Sequence, residues 1–101
     1  MTSSNYVSYK HLHLDLNSRK AILLGYELPL TKTEYKVLGA LIQSPKKPLK
    51  AEQIIEISSL EISDKNLVYH ISCINKKAKS ISNRILIKNL AKNGYFLNEE
   101  M

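Results

Sequence analysis

The residues that could do chemistry are concentrated in the last third of the chain. Between Lys65 and Asn98 the sequence contains seven basic residues and no acidic one. A region that carries only positive charge is typical either of a solvated surface or of a surface that binds nucleic-acid phosphates. Polar side chains lie among these cations, and such side chains can form hydrogen bonds with base edges. Nucleic-acid binding is therefore the sharper of the two interpretations.

Catalysis has little support in the sequence. Three glycines are scattered along the chain, so they form no phosphate-binding loop, and no nucleophile lies in a recognised motif. His11 and His13 flank one leucine but lack a third ligand, so we expect them to be solvated strand residues rather than a metal site. The sequence predicts a protein that is not an enzyme and needs no cofactor.

Cys73 is the one cysteine of the chain, so no internal disulfide is possible. It lies close in sequence to Lys76 and Lys77, which leaves open a redox role beside the commoner inert one.

Length and composition predict one soluble domain spanning residues 1–101. The chain has 101 residues, 44% hydrophobic and 24% charged, and a formal net charge of +6, which favours anionic partners. No apolar run is long enough for a signal peptide or a membrane span. We expect a cytoplasmic protein without a membrane or small-molecule partner, with residues 1–8 flexible and residues 98–101 as a tail.

The segment HLHLDL alternates strictly, which predicts a half-buried strand with Leu12, Leu14 and Leu16 on one face. AILL and YELPL predict two further short strands that turn at Gly25. Pro29 indicates that the last strand lies at an edge or ends early. Together these segments predict a small antiparallel N-terminal sheet.

The segment LTKTEYKVLGALI carries the signals of a helix start. Thr31 and Glu34 have the spacing of a capping box, and Leu30 and Tyr35 have that of a hydrophobic staple. Apolar residues on one helical face follow, namely Tyr35, Leu38, Leu41 and Ile42. The prolines of SPKKP end this helix. A second short helix, at about residues 51–57, is expected to present Ile54, Ile55 and Ile57 to the core.

The third helix has the clearest pattern. A narrow apolar stripe recurs at steps of four and three residues, formed by Leu67, Ile71, Ile74, Ala78 and Ile81. Ser63 or Asp64 is expected to cap it. The opposite face is polar and carries Lys65, Asn66, Tyr69, Ser72, Cys73, Lys76 and Ser80.

The segments RILIK and YFL flank Asn93-Gly94, which predicts a β-hairpin with a tight turn, followed by a short acidic tail. The predicted fold class is therefore α+β: a winged helix-turn-helix with a small N-terminal antiparallel sheet, three helices and a C-terminal β-hairpin wing. In this geometry the third helix enters a major groove and the wing reaches the adjacent backbone.

The succession of a small sheet, LTKTEYKVLGALIQSPKKPLKAEQI, NLVYHISCINKKA and IKNLAKNGYFL resembles the OmpR/PhoB-type winged-helix output domain of two-component response regulators, over roughly residues 12–97. The pieces LT.TEY..L..L and NGYFL are the most specific. The resemblance implies sequence-specific binding of double-stranded DNA for transcriptional regulation. It also implies pairing of two copies on direct repeats, and a connection between the second and third helices, with Ser59, Leu60 and Glu61, that faces RNA polymerase.

Arginines of the family pattern V.IS.LR.KL are replaced here by Ser72, Cys73 and Asn75. Because arginine is the residue best suited to bidentate contact with guanine, this departure favours a target rich in A and T. The candidate DNA contacts on the third helix are Lys65, Asn66, Tyr69, His70, Ser72, Cys73, Asn75 and Lys76. Those on the wing are Lys88, Asn89 and Lys92.

Roles differ within this set. Asn66 and Asn75 are expected to pair with adenine edges, and the lysines to hold phosphates, while Tyr69 and Ser72 suit either. For His70, partial burial against the core and a phosphate contact both stay open. A rival hypothesis also follows from the missing arginines: a winged-helix module that binds a protein, or nucleic acid without sequence preference.

Overall fold

The structure is a computed structural model and describes residues 5–90 and 93–100. Within them, four antiparallel strands form a sheet in chain order, three helices follow, and a two-stranded hairpin comes last. The elements are β1 (Tyr6–Tyr9), β2 (Leu12–Asp15), β3 (Lys20–Leu23), β4 (Tyr26–Leu28), α1 (Lys32–Ile42), α2 (Ala51–Ser58), α3 (Asp64–Ser82), β5 (Ile87–Asn89) and β6 (Tyr95–Leu97). The predicted α+β winged helix-turn-helix architecture is confirmed.

Strand β1 corrects the expectation that residues 1–8 are flexible. Residues 6–9 pair with β2, with Tyr6 opposite Asp15 and Tyr9 opposite Leu12. Val7 and Tyr9 are half-buried and pack against the hydrophobic core, so this strand covers the edge that β2 would otherwise expose. Residues 1–4 lie outside the described part of the chain.

The other three strands follow the sequence pattern closely. Leu12 and Leu14 are buried as predicted, whereas Leu16 is 49% exposed because β2 ends one residue earlier. The chain turns there because an Asp15 carboxylate oxygen accepts hydrogen bonds from the backbone N–H groups of Asn17 and Ser18. Hydrogen bonding by the Ser18 side chain and then these backbone bonds lower the pKa of Asp15. Strand β4 lies at the sheet edge and ends before Pro29, which confirms the prediction drawn from that proline.

Helix α1 begins with the predicted capping box. The Thr31 hydroxyl accepts from the Glu34 N–H at 3.2 Å, and the Thr31 N–H donates to a Glu34 carboxylate oxygen at 3.1 Å. The Tyr35 hydroxyl donates to the backbone oxygen of Asp15 at 3.0 Å, which ties the helix to the sheet. Burial of Tyr35 raises its pKa.

Helix α2 presents a narrower apolar face than predicted. Ile54 is fully buried and Ile55 is partly buried, but Ile57 is 45% exposed, which corrects the expectation that it faces the core. The helix ends where Ser59 adopts a left-handed conformation, with φ of 56°. The isoleucines of α2 that pack against the core are therefore Ile54 and Ile55.

Helix α3 lies with its apolar stripe against the core. Leu67, Ile71, Ile74 and Ala78 are buried and Ile81 is partly buried, as the periodicity predicts. The cap is Ser63, whose hydroxyl accepts from the N–H of Asn66 at 3.2 Å.

The wing is fastened to the segment before α2. Leu49 and Tyr95 exchange two backbone hydrogen bonds, of 2.8 and 2.7 Å. Beyond β5 the Leu90 N–H donates to the Gly94 oxygen at 2.7 Å, and the Asn93 N–H donates to the Leu90 oxygen at 2.8 Å. Gly94 has the expected positive φ, 111°.

Candidate nucleic-acid interface

Two polar contacts, one on each side of the apolar stripe, fix how α3 is rotated. On one side the Asn75 amide binds the start of the wing: its oxygen accepts from the N–H groups of Leu86 and Ile87, at 3.0 and 2.8 Å, and its nitrogen donates to the Ile87 oxygen at 3.0 Å. On the other side Lys77 Nζ lies 2.5 Å from Glu34 Oε1 at the start of α1. The face opposite the stripe therefore points away from the domain.

Asn75 does not fit its predicted role as a reader of adenine. Both ends of its amide are engaged by backbone groups of residues 86 and 87. Rotating the side chain toward a base would leave buried N–H groups without partners, and this is costly. Asn75 is a structural link between helix and wing.

The outward face of α3 contains most of the predicted contacts. Exposed side chains are Lys65, Asn66, Tyr69, Ser72 and Lys76, while Cys73 is half-buried. Tyr69 is 65% exposed, and its hydrogen bond with the Cys73 thiol raises the pKa of the tyrosine. This face presents cations, amides and hydroxyls to solvent over the whole length of the helix.

Two features of α3 escaped the sequence analysis. Val68 is 48% exposed on the same outer surface, although it is aliphatic. Lys77 belongs to the basic region between residues 65 and 98, yet its charge is paired with the buried carboxylate of Glu34. A helical wheel places Val68 to one side of the stripe, and this was the available signal for its exposure.

His70 lies at the border between the outer face and the core. It is half-buried, and its Nδ1 atom has no hydrogen-bond partner in the described part of the chain. Its ring meets that of Tyr69 edge to face, with centroids 5.5 Å apart. Of the two alternatives left open by the sequence, the geometry favours packing, with Nδ1 directed away from solvent.

The wing contributes two of its three predicted contacts to the described surface. Lys88 is half-exposed and Asn89 is exposed on β5. Lys92 lies outside the described residues. Lys88 directly follows Ile87, whose backbone is bound by Asn75, so the wing cation is held close to the wing side of α3.

The connection between α2 and α3 is held close to the core. Leu60 and Ile62 are partly buried against it, and the Leu60 N–H donates to the Ile55 oxygen at 3.1 Å. Ser59 and Glu61 are exposed. Of the three residues expected to face RNA polymerase, these two have accessible side chains, whereas that of Leu60 is largely taken up by packing.

The described residues show neither a metal-binding cluster nor a membrane-spanning helix. They contain no group of three or more His, Cys, Asp or Glu side chains arranged to hold a metal ion. None of their helices is long and apolar enough to cross a bilayer. His13 accepts or donates one hydrogen bond through Nδ1, 2.6 Å from the Ser8 hydroxyl, and His11 is exposed.

Comparison with known proteins adds a family and a set of similar folds. Residues 25–97, more than half of the chain, match the family model described as "Transcriptional regulatory protein, C terminal". No curated protein sequence matches the chain.

Solved structures with the same fold come from bacterial regulators. The DNA-binding domain of RstA from Klebsiella pneumoniae, in complex with the RstA box, has a TM-score of 0.77 and 18% identity, over 94% of this chain and 98% of that one. A redox sensor of the streptococci, evolved from two-component response regulators, has a TM-score of 0.79 and 22% identity, over 98% of this chain. DrrB of Thermotoga maritima, an OmpR/PhoB homologue, has a TM-score of 0.75 and 24% identity, over 92% of this chain.

This chain spans 44% of the length of both the streptococcal sensor and DrrB. At such identities the likeness concerns the fold, whereas the family match concerns the sequence itself. The chain thus belongs to the family of C-terminal domains of transcriptional regulatory proteins, the OmpR/PhoB-type winged-helix output domains.

Proposed function

We propose that this domain binds double-stranded DNA in a sequence-specific manner and acts as the output domain of a two-component response regulator. The observation that carries the proposal is the outward face of α3, which is exposed and polar. The contacts of Asn75 and Lys77 hold the helix on either side of this face. A helix held in this way can enter a major groove as a rigid body, so its side chains meet base edges at defined positions.

Charge supports the same proposal. Lys65 and Lys76 are exposed on α3 and Lys88 is half-exposed on the neighbouring wing, while the one acidic side chain of α3, Asp64, lies at its first residue. Because Asn75 binds the backbone beside Lys88, helix and wing face one duplex together. We assign phosphate contacts to these lysines and base contacts to Asn66, Tyr69 and Ser72.

Family membership and fold also support the proposal. The family is one of transcriptional regulators, and the RstA domain of the same fold was solved on its DNA box. This role is binding rather than catalysis, and it places the domain in the cytoplasm, where bacterial DNA is reached. Contact of Ser59 and Glu61 with RNA polymerase, and pairing of two copies on DNA, extend the same proposal.

The experiment is a titration of the domain against a pool of random duplexes at physiological salt, with sequencing of the bound fraction. We expect an enriched motif rich in A and T, and affinity that falls steeply with salt. The Lys65→Ala, Lys76→Ala double variant should bind the selected motif more weakly, without a change in the preferred bases, and should lower the salt slope by about two, since each phosphate contact contributes about 0.9.

A Lys20→Ala, Lys32→Ala double variant is the matched control, because it removes the same charge from exposed positions on β3 and α1. This control variant should keep both the affinity for the selected motif and the salt slope of the wild type. Binding without enrichment would replace the proposal by charge-driven binding of any nucleic acid. Absence of binding would favour the rival function, a module that binds a protein, for which the exposed Val68 and Tyr69 are the motivating observation.

A further inference from the structure

An exposed aliphatic side chain lies within the polar face of α3. Val68 is 48% exposed, one residue before Tyr69 and four before Ser72, both of which are exposed. Single exposed apolar residues are common on protein surfaces, so exposure alone carries no meaning. The position of Val68 on the helix is what gives this residue its interest.

Successive residues of a helix are turned by about 100°. Val68 directly follows the buried Leu67 and is therefore turned toward the side of α3 on which Asn75 binds the wing. It also lies in the first half of the helix, which begins at Asp64. In helix-turn-helix proteins the N-terminal half of this helix contacts base edges.

We propose that Val68 contacts the 5-methyl group of a thymine, in the DNA complex on whose existence this inference rests. That methyl group is the apolar feature that a base pair presents in the major groove, and aliphatic side chains are its natural partners. Asn66, two residues earlier and exposed, has an amide suited to adenine. Residues two positions apart on a helix do not face each other, so the valine and the asparagine would contact different base pairs.

Polar groups of the same face cannot replace this contact. Ser72, four residues after Val68, offers a hydroxyl group and no apolar surface of comparable size, and the methylene stem of Lys65, three residues before it, ends in an ammonium group that is drawn to a phosphate. Removing the thymine methyl should therefore weaken binding only while the valine is present. Uracil in place of thymine makes this change without altering any hydrogen-bonding group.

The test uses the duplex recovered from the random pool, with each thymine replaced in turn by uracil. Wild-type protein and the Val68→Ser variant, which removes both methyl groups, are titrated against every duplex. We expect one uracil position to cost the wild type about four-fold in affinity, the value for burying one methyl group. The same position should cost the variant nothing.

Ile57→Ala is the matched control, because Ile57 is 45% exposed on α2 and lies outside the outward face of α3. It should show the same uracil penalty as the wild type. Equal penalties for wild type and Val68→Ser at every position, or a recovered motif without thymine, would overturn the inference while leaving DNA binding intact. Absence of any binding would overturn the proposed function first, and this inference with it.

Discussion

Two neighbouring lysines of α3 have different surroundings and therefore different roles. Lys76 is exposed on the outward face, whereas Lys77 Nζ lies 2.5 Å from a carboxylate oxygen of Glu34, a residue only 3% exposed. A buried carboxylate that loses its partner destabilises a fold strongly. Lys77 thus serves the contact between α1 and α3. Fewer cations are therefore available for the proposed DNA contact than the number of basic residues in the sequence suggests.

Asn75 gives a prediction at the same scale. Asn75→Ala would leave the N–H groups of Leu86 and Ile87, residues 1% and 2% exposed, without acceptors. At about 1–3 kcal/mol for each of these two groups, we expect the free energy of unfolding to fall by about 2–6 kcal/mol. Urea denaturation followed by circular dichroism measures this change.

The matched control is Asn66→Ala, at an exposed position of the same helix whose side chain is free for DNA. It should change stability by less than about 0.5 kcal/mol and weaken binding to the selected duplex. If Asn75→Ala kept wild-type stability and altered the preferred base instead, Asn75 would be a reader after all.

The contrast between these two asparagines marks what could be predicted from sequence at the residue scale. Periodicity identified the outward face of α3 and most of its exposed members, because burial along a helix largely follows helical phase, but Cys73 is half-buried and the exposed Val68 was missed. The partners of Asn75 and Lys77 belong to other elements, the wing and α1. Nothing local to α3 indicates which polar residue beside its stripe will meet them.

At the scale of elements, Gly94 decides how the wing attaches. A Cβ atom at this position would lie 2.2 Å from the Leu49 carbonyl oxygen, and φ is 111°. Leu49 in turn pairs with Tyr95 on β6. The glycine therefore allows the segment before α2 and the wing to form one continuous backbone contact, which holds the hairpin beside α3.

Replacing this glycine should loosen the wing. We expect Gly94→Ala to lower the free energy of unfolding by at least about 2 kcal/mol, because the methyl group displaces backbone rather than a mobile side chain and the positive φ adds strain. Thermal unfolding and affinity for the selected duplex are the measurements. Both should decrease.

Gly25→Ala is the control, since φ there is 84° and no heavy atom lies within 4 Å of the added Cβ. Only the backbone strain of about 1–2 kcal/mol applies, and DNA binding should be retained. Equal effects of the two alanines would mean that the contact with Leu49 contributes nothing.

Elements with strong local signals were predicted well. The capping box of α1 and the stripe of α3 needed no knowledge of the rest of the chain. Strand β1 was missed because its hairpin turns at Lys10, which adopts a positive φ of 56° without the glycine or asparagine that usually indicates such a turn.

At the scale of the whole molecule, dimensions limit how two copies can share DNA. The domain measures 43 × 29 × 23 Å along its principal axes. Adjacent sites on one face of B-DNA are about 34–36 Å apart, one helical turn. Two copies fit side by side at this spacing only if the longest axis lies across the duplex and a shorter one runs along it.

Pairing on direct repeats therefore makes a prediction about spacing. A duplex with two copies of the selected motif, one helical turn of about 10–10.5 base pairs apart, should bind two domains with a second affinity higher than the first. Inserting five base pairs moves the second site to the opposite face of the duplex, so the cooperativity should disappear. Inserting ten base pairs returns the second site to the same face, but the two domains are then too far apart for contact, so the cooperativity should stay absent.

Analytical ultracentrifugation and gel-shift titrations measure stoichiometry and both affinities. Cooperativity that survives the five-base-pair insertion would contradict pairing through adjacent protein surfaces, and one domain bound per repeat pair would contradict pairing altogether.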